Sequence, residues 1–402
     1  MGVTLRHFLV LGLLAFVVTY LCVPLARRLA LRLDAVDYPS ARRVNKRPTP
    51  RMGGIAMAAG IAAALIVEVA GEYFFGWAGF YIHGTDRAIN HAGVMCGLLT
   101  IVCVGAMDDV YSLKPSVKFA GQILGATIIA ASGLLLSSIA NPLGAGFIQF
   151  GWWSYPLTVL YLVCFMNVIN LIDGLDGLAA GVSTISCVSL VIIALVYSNP
   201  GVAIITSALA GGCIGFLPYN RPPAKIFMGD TGSTLLGYVM AVASIQGLFK
   251  FYAIISFVIP FLMLGVPIFD TCFAVIRRLY HGESPFKADR EHVHYRLMDM
   301  GFSKKQTVAV LYGVSGLLGL TAVVSAASGL SRGLILLVVL SLAGIATWKG
   351  VGRHRASAAE QLEETPLSEP VDEDVEEEEE SEEPEDASDG YAKDPSEGPG
   401  RE

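Results

Sequence analysis

The chain has 402 residues, 53% hydrophobic and 16% charged, with mean hydropathy +0.57 and a formal net charge of -7. That composition excludes an ordinary soluble domain and points to a multi-pass membrane protein. The net charge conceals two unlike parts: residues 1–355 carry 26 Lys+Arg against 15 Asp+Glu, and residues 356–402 carry 2 against 20.

Apolar stretches of about 17–25 residues, long enough to cross a bilayer, predict about eleven spans. They lie near 8–31, 53–71, 92–107, 118–138, 155–171, 178–197, 201–218, 232–248, 251–276, 307–326 and 332–349. The first is too long for the core of a signal peptide and lacks a small-residue cleavage site, so it reads as a span. The external connection 139–154 carries Asn-Pro and Gly turn signals around Gly146 to Phe150, which predict a short β-hairpin. The sixth and seventh spans meet at Asn199-Pro200-Gly201, a tight helix–helix turn.

Lys and Arg set the orientation. With the N-terminus outside, Arg42, Arg43, Lys46, Arg47, Arg51, Lys114, Arg221, Lys225, Arg277, Arg278, Lys287, Arg290, Arg296, Lys304 and Lys305 all fall in cytoplasmic connections. Only Arg6, Arg87, Lys250 and Arg332 remain outside, as the positive-inside rule requires. The expected fold is an all-α integral membrane protein with its N-terminus outside and C-terminus cytoplasmic. Residues 1–350 form the membrane catalytic domain. Residues 351–402, with Glu376 to Glu380 consecutive, form an acidic cytoplasmic tail too polar to offset its ordering entropy, and disorder is expected there. The seven cysteines sit in apolar runs with no CxxC pair and read as small buried hydrophobes, not a disulfide or zinc framework.

A charge at the bilayer centre costs roughly 2.5–3.5 kcal/mol, so each acidic cluster belongs at a wet end or in a polar cavity. The topology puts them all on the cytoplasmic face. Asp108-Asp109 closes the third span; adjacent carboxylates repel and call for a cation or a proton, and Mg²⁺ suits such hard oxygens. The plainer reading is two interfacial acids capping a helix junction. Next, Asn167-Val168-Ile169-Asn170-Leu171-Ile172-Asp173-Gly174-Leu175-Asp176-Gly177 places amides and carboxylates at the junction of the fifth and sixth spans. On a continuing helix Asn170 and Asp173 would share a face. Phe227-Met228-Gly229-Asp230-Thr231-Gly232-Ser233 opens the eighth span, where backbone N–H groups offer an anion site, or where Asp and Thr simply cap a helix. The polar loop 282–297 carries His292 and His294 with Arg290 and Arg296; two histidines make a poor zinc site, and donors to phosphate or sugar are preferred over an inert basic loop. Asp270, inside the ninth span, lines the cavity or pairs with Arg277 or Arg278.

Taken together, Arg51-Met52-Gly53-Gly54, Asp108-Asp109, Asn170 to Gly177, Asn220 with Phe227 to Ser233, and Ser284-Pro285-Phe286 leading to His292-Val293-His294 resemble the polyprenyl-phosphate N-acetylhexosamine-1-phosphate transferase superfamily, glycosyltransferase family 4. The resemblance covers roughly residues 1–350 and is nearer its WecA/TagO-like branch than its MraY-type branch, although Tyr295 stands where that branch often has a further histidine. It implies transfer of N-acetylglucosamine-1-phosphate, or a related N-acetylhexosamine-1-phosphate, from a UDP-sugar to undecaprenyl or another polyprenyl phosphate. UMP leaves, and lipid-linked cell-envelope glycan synthesis begins.

The resemblance also implies the site. Asp230 would be the main Mg²⁺ ligand, with Mn²⁺ able to substitute, and Asp108 and Asp109 would bind metal or deprotonate the lipid phosphate. Asn170, Asp173, Asp176 and Asn220 would line the nucleotide and metal pocket. Lys118 would hold phosphate charge, and His292, His294 and Arg296 would contact the sugar diphosphate. The expected partners are the UDP-sugar, polyprenyl phosphate and the lipid bilayer of the bacterial cytoplasmic membrane, with no nucleic acid; a homodimer is compatible. The alternatives are an MraY-type phospho-N-acetylmuramoyl-pentapeptide transferase and, from another class, a secondary transporter, which would place acids at mid-membrane.

Overall fold

A computed structural model describes residues 5–39, 47–77, 89–141, 146–247 and 293–342, together with 265, 269, 276–278 and 280. The first eight helices follow the first eight apolar runs: α1 (Leu5–Arg32), α2 (Gly53–Phe75), α3 (His91–Tyr111), α4 (Pro115–Ala131), α5 (Ser154–Ile172), α6 (Leu178–Val196), α7 (Pro200–Asn220) and α8 (Gly229–Gly247). The short α9 (Val293–Asp299), then α10 (Lys304–Ser328) and α11 (Leu330–Leu342), follow toward the C-terminus.

Among the described residues seven of these helices, α1, α2, α3, α5, α6, α7 and α10, are long and apolar enough to cross a membrane. The chain is therefore an all-α membrane protein. Most of the expected span 251–276 and all of the acidic tail lie outside the described residues. α4 stops at Ala131, short of the expected 138, because Gly133 takes a left-handed φ of 87° and turns the chain into the hairpin.

Local sequence explains the helix starts. Asn90 accepts from the Gly93 N–H at 3.2 Å and caps α3; Asn199 does the same for α7 through Val202 at 3.3 Å, with Pro200 at the first helical position. Ser303 and Gln306 close a reciprocal capping box at α10.

α7 is the most buried span and packs on α1, α2, α6 and α8. Small residues make the closest approach possible: a Cβ at Gly215 would lie 2.5 Å from the Phe16 carbonyl oxygen of α1. Close backbone approach of this kind drives helix association where lipid supplies no hydrophobic force.

The predicted hairpin is present as β3 (Ser138–Ala140) and β4 (Phe147–Gln149), antiparallel with Ile139 opposite Ile148. A second antiparallel pair, β1 (Val36–Asp37) with β2 (Thr49–Pro50), lies in the connection that the sequence marked only as basic. Its β2 end is tied to the segment before α8: Phe227 N–H donates to the Pro50 carbonyl at 2.8 Å, and Gly53 and Gly54 donate to the carbonyls of Phe227 and Met228 at 2.9 and 2.8 Å.

Candidate active site

The site gathers where α3 and α5 end and α2 and α8 begin. Asp108 and Asp109 occupy the last turn of α3, and both are buried. Consecutive helical positions point in different directions. Asp108 turns toward α4, where its Oδ2 lies 3.1 Å from the Lys118 ammonium, and its Oδ1 accepts from the Leu113 N–H at 2.8 Å. Asp109 turns toward α8. Its Oδ1 accepts from the Asp230 N–H at 2.8 Å, and its Oδ2 accepts from the Thr231 N–H at 3.1 Å and the Thr231 hydroxyl at 2.5 Å.

The anion site expected at the start of α8 thus exists, and the chain's own Asp109 fills it. Gly229, at φ 72°, sits against that carboxylate, where a side chain would have no room. Asp230 stands one residue further in and collects the other groups: the Lys118 ammonium and the Asn170 amide both donate to its Oδ1. Asn170 also donates to the Ser233 hydroxyl at 2.8 Å.

α5 ends at Ile172, so Asn170 and Asp173 do not continue one helical face; Asn170 turns to Asp230 while Asp173 lines the cavity. Burial, helped by the carboxylates of Asp230, Asp109 and Asp176, pushes Asp173 well above the usual carboxylate range. The rest of this loop is fastened to its neighbours. Asn220 accepts from the Gly177 N–H at 3.0 Å and donates to the Ile226 carbonyl at 3.0 Å. Asp176 accepts from the Ala224 N–H at 3.1 Å, and the Tyr312 hydroxyl of α10 donates to the Gly177 carbonyl at 2.6 Å.

These elements enclose a cavity of about 310 Å³, lined by Asp109, Asn170, Asp173, Asp176, Asn220 and Asp230 from the expected set. Asp108 and Lys118 stand behind Asp230 and do not line it. His294 is buried with its ring on Gly174, where a Cβ would meet Nε2 at 2.7 Å; Arg296 is exposed on α9. His292, Asp270 and the segment 284–287 lie outside the described residues.

Among the further lining residues, those with polar side chains are Asp37, Arg51, Tyr295 and Lys304. The signals for them were weak. Arg51 was read as a topogenic charge and as part of the Arg51-Met52-Gly53-Gly54 motif with no role of its own, Lys304 as a topogenic charge, Tyr295 as a departure from a histidine pattern, and Asp37 depends on a two-residue strand.

The carboxylates offer hard oxygen donors, the ligand type a divalent cation such as Mg²⁺ would use. Among the described residues no group of three His, Cys, Asp or Glu converges, but Asp108 and Asp230 do aim oxygens at one cationic position, that of Lys118. Mg²⁺ asks for little more, because it takes one or two carboxylates and leaves its other positions to water and substrate phosphates.

Residues 91–248 match the model of glycosyl transferase family 4. The chain is 38% identical over 343 residues to a Bacillus subtilis protein named "Probable undecaprenyl-phosphate N-acetylglucosaminyl 1-phosphate transferase", an alignment covering 84% of this chain and 92% of that one. This chain belongs to glycosyl transferase family 4. A Mycobacterium leprae relative, named decaprenyl-phosphate N-acetylglucosaminephosphotransferase, is 36% identical over 77% of this chain and 82% of its own. One from Yersinia pestis, named undecaprenyl-phosphate alpha-N-acetylglucosaminyl 1-phosphate transferase, is 27% identical over 74% of this chain and 79% of its own. The family-4 segment runs from α3 through α8 and so contains every residue from Asp108 to Asp230 described above, whereas Asp37, Arg51, Tyr295 and Lys304 lie outside it.

Proposed function

We propose that this family-4 protein transfers N-acetylglucosamine-1-phosphate from a UDP-sugar to a polyprenyl phosphate at the cytoplasmic face of a bacterial membrane, releasing UMP. The observation that carries the reading is the convergence of Asp108, Lys118 and Asn170 around Asp230, beside a carboxylate-lined cavity at the ends of membrane helices. The relatives' names supply the substrate class.

The reaction joins two anions. An oxygen of the lipid phosphate attacks the β-phosphorus of the UDP-sugar, a new P–O bond forms, the bond from that phosphorus to the bridging oxygen breaks, and UMP carries the bridging oxygen away. Mg²⁺, held by Asp230 and Asp108, would supply charge cancellation between the phosphates. Lys118 adds a positive charge beside both carboxylates and steadies Asp230. With both oxygens of Asp109 engaged by α8, Asp109 positions Asp230, while Asp108, held by the Leu113 N–H and Lys118, acts from behind Asp230 through the charge it shares with Lys118. Asn170 fixes the Asp230 carboxylate from the α5 side.

Purified protein given undecaprenyl phosphate, Mg²⁺ and radiolabelled UDP-N-acetylglucosamine should yield a labelled lipid, and Asp230→Asn should abolish it. Absence of labelled lipid with every UDP-sugar offered would end the proposal.

A further inference from the structure

We propose that Arg51 is a phosphate ligand of the cavity; the inference rests on the transferase reading and names a residue outside the family-4 segment. The cavity wall carries the carboxylates of Asp37, Asp109, Asp173, Asp176 and Asp230, and a diphosphate entering it needs cations close by. Lys118 is already committed to Asp108 and Asp230.

Arg51 is not committed in this way. Among the described residues its guanidinium makes one hydrogen bond, from Nη2 to the Ser112 hydroxyl at 3.3 Å, and its Nε is buried with no acceptor. A buried donor without an acceptor is costly, and a phosphate oxygen would satisfy it while cancelling charge. The planar fork of arginine suits two oxygens of one phosphate.

The backbone holds this side chain ready. Arg51 N–H donates to the Ala35 carbonyl at 2.9 Å, and Pro50 just before it and Gly53 two residues after it both bond to Phe227. Asp230 follows Phe227 by three residues, so Arg51 and Asp230 reach the cavity from one hydrogen-bonded ladder. Such rigid support is what places a binding group without further ordering.

The test uses the full chain in lipid nanodiscs with Mg²⁺, titrated calorimetrically with UDP-N-acetylglucosamine, alongside initial rates with undecaprenyl phosphate varied. Arg51→Ala should weaken donor binding on the order of 10- to 100-fold, the loss typical of a charge-assisted hydrogen bond. Arg51→Lys should recover part of it, and the unfolding temperature should hold. If Arg51→Ala does not fold, Arg51→Gln keeps the stem and should show the same loss.

A rise in KM for undecaprenyl phosphate with donor affinity intact would place the same guanidinium on the lipid's phosphate. Unchanged donor affinity together with unchanged KM for both substrates, in a folded variant, overturns the inference, as does a loss confined to kcat. Wild-type protein that binds the donor and makes no lipid product would overturn the transferase reading while leaving the Arg51 comparison readable.

Discussion

Two neighbouring aspartates at the end of α3 do different work because a helix turns them apart. Asp109 stitches α3 to the first turn of α8 through three accepted hydrogen bonds, whereas Asp108 faces Lys118 beside Asp230. The sequence located the pair but left base and ligand open between them, since the split depends on where α8 arrives from 120 residues away. The two variants should separate. Asp109→Ala orphans buried donors at roughly 1–3 kcal/mol each, so thermal unfolding in detergent should shift clearly downward together with activity. Asp108→Asn keeps the side chain's shape and an acceptor for the Leu113 N–H, so it should shift the unfolding temperature less, and it should lower kcat on the order of 10²-fold by removing a charge preorganised beside Lys118 and Asp230. Equal loss of stability in both would contradict the division.

At the scale of elements, the start of α2 and the start of α8 meet without side chains between them. A Cβ on Gly54 would run into the backbone of Gly232, which has no flexible end to move aside. Gly54→Ala should therefore cost about 1–3 kcal/mol of stability by overpacking, and part of the activity, because the same junction carries Asp230. Asn220 gives a second case: it joins the turn after α5 to the segment before α8 by bonds to the Gly177 and Ile226 backbones. Asn220→Ala should raise KM for the UDP-sugar more than it lowers kcat, as read from saturation curves. Long apolar runs and the Gly-marked hairpin of β3 and β4 were legible in the sequence because their signals are local. The β1–β2 pair was not: two-residue strands carry no periodicity, and their partner at Phe227 is remote. The end of α5 at Ile172 agrees with the expected span 155–171, and the conditional shared face of Asn170 and Asp173 is not realised because Asp173 caps the helix.

For the whole molecule, the acidic clusters were legible as a single constellation at one end of the helices because a charge in a bilayer must find a wet end. The fold brings most of them to one cavity, and what the sequence could not show is which groups face it and which stand behind. The tail 356–402, with 20 acidic residues against 2 basic ones, lies outside the family resemblance, and its removal should leave the specific activity of purified protein unchanged. Chelation of divalent cations should abolish transfer. Added Mg²⁺ should then restore activity and raise the unfolding temperature of wild-type protein but not of Asp230→Asn, because binding to the folded state stabilises it. The central claim is that a phosphate travels with the sugar. UDP-N-acetylglucosamine labelled with ³²P at the β-phosphate, supplied with undecaprenyl phosphate, should leave its label in the lipid product while UMP is released; label departing as UDP, with unlabelled sugar on the lipid, would contradict the account.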